Sequence, residues 1–356
     1  MTESLLSPYD AVVLVSFGGP EKPDDVLPFL KNVTRGRGIP DARLEVVGAH
    51  YYGFGGKSPI NDQNRALLAA LRAELDSRSI STPLLWGNRN WEPYLPDALR
   101  EHSRATGAKR YLAILTSAYS SYSSVWQYYD YFAKTREELA SEGIEVEIDA
   151  IRQYFNHPGF ADTEVDIVRS GLAALDRQVG GLDPQHHRLL YVTHSIPDPM
   201  EAESETRSHG YLHQHEELID YVAEQLSDEL TLPTELVFCS RSGAPGSPWL
   251  EPDINDRLRE LSAQGVTGVV AVPIGFVSDH MEVKYDLDTE AAQTAAELGL
   301  DYHRAATVST SPGFVAGLVD LLEERAAQAS GKSPERPAVT PQGPLDGGDG
   351  EPWRAA

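Results

Sequence analysis

The sequence predicts an α/β protein built from two four-stranded parallel sheets, each covered by helices. Three observations lead to this. Short apolar, β-rich runs alternate with longer amphipathic stretches, an order that implies parallel pairing through right-handed crossovers. The alternation ends and then starts again, on either side of a breaker cluster formed by Asn156, Pro158 and Gly159. The polar and glycine-rich motifs all follow a strand, where parallel α/β sheets bind their ligands.

The first strand is expected at 11–16, AVVLVS. After a long connection, 61–79 reads as a helix, because Leu67, Leu68 and Leu71 form an apolar stripe at helical spacing. Strands at 83–87, 110–116 and 145–151 follow, separated by helical patterns near 95–106 and 124–142. The second half repeats the scheme, with strands at 189–193, 234–239, 268–273 and 302–305. Helical stretches lie near 210–230, 253–264, 283–298 and 313–329. Domains are therefore expected at 8–155 and 156–329. The tail 330–356 is rich in Pro and Gly without apolar periodicity, and disorder is expected there.

Bulk properties narrow the function. A hydrophobic fraction of 41% over 356 residues supports a real core. No apolar run approaches the roughly 20 residues needed to span a bilayer. Residues 1–8, MTESLLSP, lack the pattern of a secretory signal, so a cytoplasmic location is expected. The net charge of −24, from 54 acidic and 30 basic residues, disfavours nucleic acid. It serves solubility and would also draw cations. Cys239 is the only cysteine, which excludes an internal disulfide, a cysteine-based zinc site and a cysteinyl iron–sulfur cluster held within one chain.

Four segments follow strands: Phe17-Gly18-Gly19-Pro20, the run 117–123, Thr193-His194-Ser195-Ile196-Pro197, and 273–282 ending in Asp279-His280-Met281-Glu282. One cleft between the sheets could collect them all. The Gly-Gly-Pro turn has neither dinucleotide nor P-loop spacing, which disfavours a nucleotide. His194 reads equally as a hydrogen-bonded structural histidine or as a site residue. Ser195 lacks a nucleophile-elbow context, against a hydrolase.

In DHMEVKYDLDTE, a helix from Met281 would place Glu282, Asp286 and Glu290 along one face. Like charges at that spacing must be offset by solvent or by hard cations. The aromatic run Tyr122, Trp126, Tyr128, Tyr129, Tyr131 and Phe132 suits either a flat aromatic ligand or ordinary core packing.

The segments SFGGP at 16–20, NVTRGRG at 32–38, FGGKSPIN at 54–61 and GNRNWEP at 87–93 resemble the ferrochelatase family. So do HSIP at 194–197, SPWLEPD at 247–253 and PIGFVSDHME at 273–282. HSxP and GFxxDHxE, in this order and separation, are highly specific. The wording most resembles the actinobacterial branch, whose usual substrate is coproporphyrin III rather than protoporphyrin IX. The resemblance implies two Rossmann-like, chelatase-like domains with a porphyrin cleft between them. It implies that His194 and Glu282 face each other across the macrocycle and serve insertion of Fe²⁺. It makes Phe17, Ser58 and Tyr128 porphyrin contacts and places Arg35, Arg37 and Tyr51 where relatives hold the propionates. Asp286 and Glu290 would extend from Glu282 as a route for metal or protons. Transient contact with neighbouring haem-pathway enzymes is expected.

Two departures stand out. Several relatives carry a tyrosine where this chain has Phe17, which cannot ligate product iron. Many actinobacterial relatives hold a [2Fe–2S] cluster through four cysteines, which one cysteine cannot do, so no cofactor beyond substrate Fe²⁺ is expected. The alternatives are a protoporphyrin IX ferrochelatase, a tetrapyrrole chelatase for another ion such as Co²⁺, and a cleft-type haem-binding protein without catalysis.

Overall fold

A computed structural model of the chain describes residues 5–36, 38–242 and 246–346. Strands β1 (Ala11–Ser16), β2 (Leu84–Asn88), β3 (Arg110–Leu115) and β4 (Glu147–Ala150) form one sheet in the order β2-β1-β3-β4. Strands β5 (His187–His194), β6 (Thr234–Cys239), β7 (Gly268–Val272) and β8 (Asp301–Arg304) form a second in the order β6-β5-β7-β8. Every pairing is parallel. The two sheets thus repeat one topology, and all eight strands lie where the hydrophobic runs predict them, with ends shifted by a few residues at most.

Helices α1 (Val26–Val33), α2 (Asp41–Gly53), α3 (Ile60–Ser77), α4 (Leu95–Thr106) and α5 (Gln127–Ser141) accompany the first sheet. Helices α6 (Pro158–Val179), α7 (Asp198–Ser208), α8 (Tyr211–Gln225), α9 (Ile254–Ala263), α10 (Ala292–Leu298) and α11 (Pro312–Ala329) accompany the second. The expected list lacks α1, α2, α6 and α7. Helix α6 is buried at Phe160, Ala161, Val165, Ile167, Val168, Leu172 and Leu175, more than one face wide, and such burial blurs the helical period. Helix α2 buries only Leu44 and Gly48, so it has almost no stripe to read.

Alternation along the strands builds the core. Val12, Leu14, Leu112 and Ile114 join Leu189, Tyr191, Val270 and Val272 in one apolar cluster shared by both sheets, with α6 and α11. Val13, Val15, Tyr111 and Ala113 face the other way, into a separate cluster under α4 and α5. Both faces of each sheet are therefore covered, as parallel sheets require. Helix α11 also returns to the first half, where Arg78 at the end of α3 reaches Glu323 at 3.2 Å and the carbonyl of Ala316 at 3.2 Å.

The tail departs from the expected disorder over 330–346. The buried pair Arg152–Glu324, 2.9 Å apart, leaves donors to satisfy, and Arg152 donates to the carbonyl of Pro337 at 2.7 Å. Asn156 donates to Thr340 at 3.0 Å and to the carbonyl of Gly343 at 2.8 Å. Composition misses this docking because it rests on hydrogen bonds to buried polar groups rather than on an apolar stripe. Residues 347–356 lie outside the described residues. Among the described residues no helix is long and apolar enough to cross a membrane.

Candidate functional site

The carboxyl ends of both sheets meet. The loop after β3 sends Tyr119, whose hydroxyl donates to the carbonyl of Ile274 after β7 at 3.1 Å. The N–H of Ser120 donates to Gln214 of α8 at 2.8 Å. Gly275 permits a further approach. A Cβ there would stand 1.9 Å from the hydroxyl oxygen of Thr193, so only glycine lets the loop after β7 close against the end of β5.

That closure puts Glu282 beside His194, with Oε1 3.5 Å from Nε2. His194 is the last residue of β5. Its Nδ1–H donates to the carbonyl of Ser195, which leaves Nε2 as the nitrogen able to take a proton or a metal. From behind, the hydroxyl of Tyr211 donates to the carbonyl of His194 at 3.1 Å. Burial opposes charge on the imidazole, but Glu282, the Ser195 carbonyl and Asp286 outweigh it and push its pKa up to about 9. Burial likewise disfavours the Glu282 carboxylate, yet His194 and His280 hold its pKa down to about 2. The resting pair is an ion pair.

The acidic segment is helical, but from Val283 to Ala291 it is wound as a π-helix instead of the expected α-helix. This rare winding often accompanies functional sites. Its acids divide into two groups. Asp279 and Asp288 turn to Arg304, at 3.0 and 2.7 Å, and Asp288 also meets Lys284 at 2.9 Å. Those two hold the helix in place. Asp286 accepts from the hydroxyl of Ser240, at the end of β6. Burial, with Glu282 and Glu290 nearby, pushes its pKa up to about 7 against that hydrogen bond. Glu290 is exposed and close enough to Tyr285 to add to the burial that raises its phenol pKa.

Helix α2 faces this row from the first half. Tyr51 lies close enough for Glu282 and Asp286 to add to the burial that raises its phenol pKa. The ring of His50 stacks on Tyr285 with centroids 3.8 Å apart. Tyr51 leads on through Phe29, at 5.9 Å, to Phe17, at 6.1 Å from Phe29. An aromatic wall thus runs from the acidic row to the loop after β1.

The remaining expected residues fall less uniformly. Tyr128 is buried in the core under α5, with the guanidinium of Arg89 4.7 Å above its ring and 5.1 Å from the ring of Phe17. Ser58 is buried as well. Its Oγ accepts from the N–H of Ile60 at 3.4 Å, and a Cβ on Gly19 would stand 2.7 Å from its Cβ. Arg35 is exposed, near enough to Tyr94 to affect its titration. Arg37 lies outside the described residues.

The sequence reading misses Arg89, Ser240, Tyr211 and His280. Arg89 sits inside the GNRNWEP segment and His280 two residues before Glu282, so those signals were present. His280 packs on Phe276 with centroids 5.1 Å apart, and its Nδ1 stands 3.8 Å from Glu282. Ser240 and Tyr211 gave no local signal, because only the tertiary fold brings them to the site.

A half-exposed imidazole and carboxylate at 3.5 Å, backed by further acids and flanked by an aromatic wall, can bind a divalent ion and accept protons beside a flat ligand. The sequence model of the family described as Ferrochelatase matches residues 9–326. A coproporphyrin III ferrochelatase of Streptomyces griseus subsp. griseus is 51% identical over 346 residues, which are 95% of this chain and 91% of that protein. A coproporphyrin III ferrochelatase of Streptomyces coelicolor is 52% identical, covering 92% of this chain and 88% of its own length. A ferrochelatase of Rhodopirellula baltica is 44% identical, covering 96% and 92%.

Proposed function

The chain belongs to the ferrochelatase family, and from that premise we propose that it inserts Fe²⁺ into coproporphyrin III to give coproheme. The observation behind the mechanism is the His194–Glu282 pair at the meeting of the two sheets. Insertion exchanges two pyrrole N–H protons for one Fe²⁺, so the site must bring the ion in and take two protons away. A neutral Nε2 on His194 can accept a proton or bind the ion, and either use requires the resting imidazolium first to release its proton. Glu282, held ionised, can pass protons to Asp286, whose pKa near 7 suits both acceptance and release. Asp286 and Glu290 continue this path along the π-helix.

Phe17 and Tyr51 belong to the aromatic wall beside the macrocycle, with Arg89 against Phe17 as a cation for an anionic edge and the buried Tyr128 behind it, its ring supporting the guanidinium. Ser58, buried against Gly19, positions the loop after β1 that would face the porphyrin. Arg35 and Arg37 serve the propionates. Phe17 supplies no ligand to product iron. Fe²⁺ and the porphyrin enter as substrates, and with one cysteine the chain supplies no four-cysteine cluster.

The four propionates of coproporphyrin III favour a site with local cations, because the net charge of −24 repels an anion at long range. Each charge-assisted contact is worth about 1.5–3 kcal/mol. The test is anaerobic metallation of coproporphyrin III and protoporphyrin IX in the same detergent. A clear preference for coproporphyrin III is expected. Equal kcat/KM for the two would remove the substrate assignment, and absence of turnover with either would favour a haem-binding protein.

A further inference from the structure

We propose that His209, His213 and Glu217 form a second metal site, for a divalent transition ion such as Zn²⁺, at the corner between α7 and α8. It is separate from the substrate site and goes beyond the iron-insertion reading. One ligand atom from each residue lies within 4.8 Å of the others. Nε2 of His209 stands 3.4 Å from Glu217 Oε1, and Nε2 of His213 stands 3.8 Å from the same oxygen. Ligands bonded at about 2.0–2.1 Å around a tetrahedral Zn²⁺ lie roughly 3.3 Å apart. Both histidine nitrogens thus stand within about half an ångström of that spacing from the Glu217 carboxylate.

The surroundings fit a site rather than a chance ion pair. His213 and Glu217 are one helical turn apart on α8 and share a face. His209 is brought to them by the left-handed turn that ends α7, with φ +70°, at a position where glycine is the usual residue. The carboxylate of Glu217 is largely buried, and among the described residues its Oε2 has no hydrogen-bond partner. A buried carboxylate oxygen in that condition calls for a cation. Nδ1 of His213 lies 3.6 Å from Glu216, so Glu216 can orient the ring while Nε2 faces the ion, as carboxylates commonly do behind ligating histidines.

Two imidazoles and one carboxylate match Zn²⁺, Co²⁺ or Ni²⁺ better than Mg²⁺ or Ca²⁺, and three protein ligands leave a position for water. The site brackets Tyr211, which lies between His209 and His213 in the chain and whose hydroxyl holds the carbonyl of His194. An ion there would tie α7 to α8 behind the strand end that carries the catalytic histidine.

The experiment uses the full chain carrying His194→Ala and Glu282→Gln, which removes the substrate site. Titrated with Zn²⁺ alone, it should bind one equivalent, and Co²⁺ should give the intense visible absorption of a tetrahedral centre. Adding His213→Asn, at an exposed position where folding is not at risk, should weaken Zn²⁺ binding at least 100-fold and abolish the Co²⁺ spectrum. Glu217→Gln should do the same. No bound Zn²⁺ in the parent variant, or binding unchanged by His213→Asn, would overturn the site. Neither result bears on iron insertion, which is tested separately by the metallation assay.

Discussion

Nε2 of His194 stands 3.5 Å from Oε1 of Glu282, and through this contact the end of β5 meets the head of the π-helix. Replacing His194 by Ala should lower the rate of iron insertion by about 10²–10⁴-fold, the usual range for a lost acid–base group. Glu282→Gln should cause a loss of similar size. Circular dichroism and Tm should stay close to the parent, because both side chains are partly exposed. Near-normal turnover by a folded His194→Ala protein would remove the central role of the pair.

Glu282 is the main group that raises the pKa of His194 to about 9, against the effect of burial. Removing its charge while keeping its shape should let burial prevail. In Glu282→Gln the His194 pKa, followed by NMR of the imidazole carbons, should therefore fall well below about 9. An unchanged value would mean that the two groups do not pair in solution.

Ser240 donates to Asp286 and favours its ionised form, although burial still carries the pKa up to about 7. Ser240→Ala removes that donor, so the pKa of Asp286 should rise further. If Asp286 carries protons from the site, the acidic limb of kcat/KM should move to higher pH. A profile superimposable on the parent would exclude Asp286 from the path.

His157 caps α6, its Nδ1 accepting from the N–H of Gly159 at 3.1 Å. Burial, helped by Arg152, lowers its pKa to about 4, whereas the unfolded value is about 6.5. Between those values the unfolded chain takes a proton that the folded chain refuses. The contribution of His157 to stability is thus present above about pH 6.5 and falls by about 1.4 kcal/mol per pH unit below it. His157→Asn retains a capping side chain but not the titration. It should be less stable than the parent at pH 7.5, and denaturant unfolding should show the gap narrowing as pH falls from 6.5 towards 4. A constant gap would place the pH dependence elsewhere.

Cys239 is buried, and burial raises its thiol pKa well above the usual value. Cys239→Ser should retain metallation activity, and purified protein should contain no stoichiometric acid-labile sulfide. Its presence would require a cluster shared between chains.

The sequence by itself determined the eight strands, their parallel pairing and their division into two sets, but not the order of the strands within each sheet. A buried strand must be a short apolar run, and the 83–87 and 268–273 runs are legible on that ground alone. It also marked His194 and Glu282: their place after strand ends left both readings open, and the resemblance of their motifs to the ferrochelatase family assigned them to the site. Other features were decided only by the tertiary structure. Helix α6 hides its period by burying several faces, and the 330–346 segment is ordered by Arg152 and Asn156, whose burial no local pattern announces. The helical spacing had already singled out Glu282, Asp286 and Glu290, but only the tertiary structure shows that Arg304 takes up the neighbouring Asp279 and Asp288. Tyr128 and Ser58 went to buried positions, and Arg89 took the place beside the aromatic wall. Local spacing governs hydrogen bonding within a helix or strand. Which charges pair, and which rings stay open to a ligand, depends on what the rest of the chain packs against them.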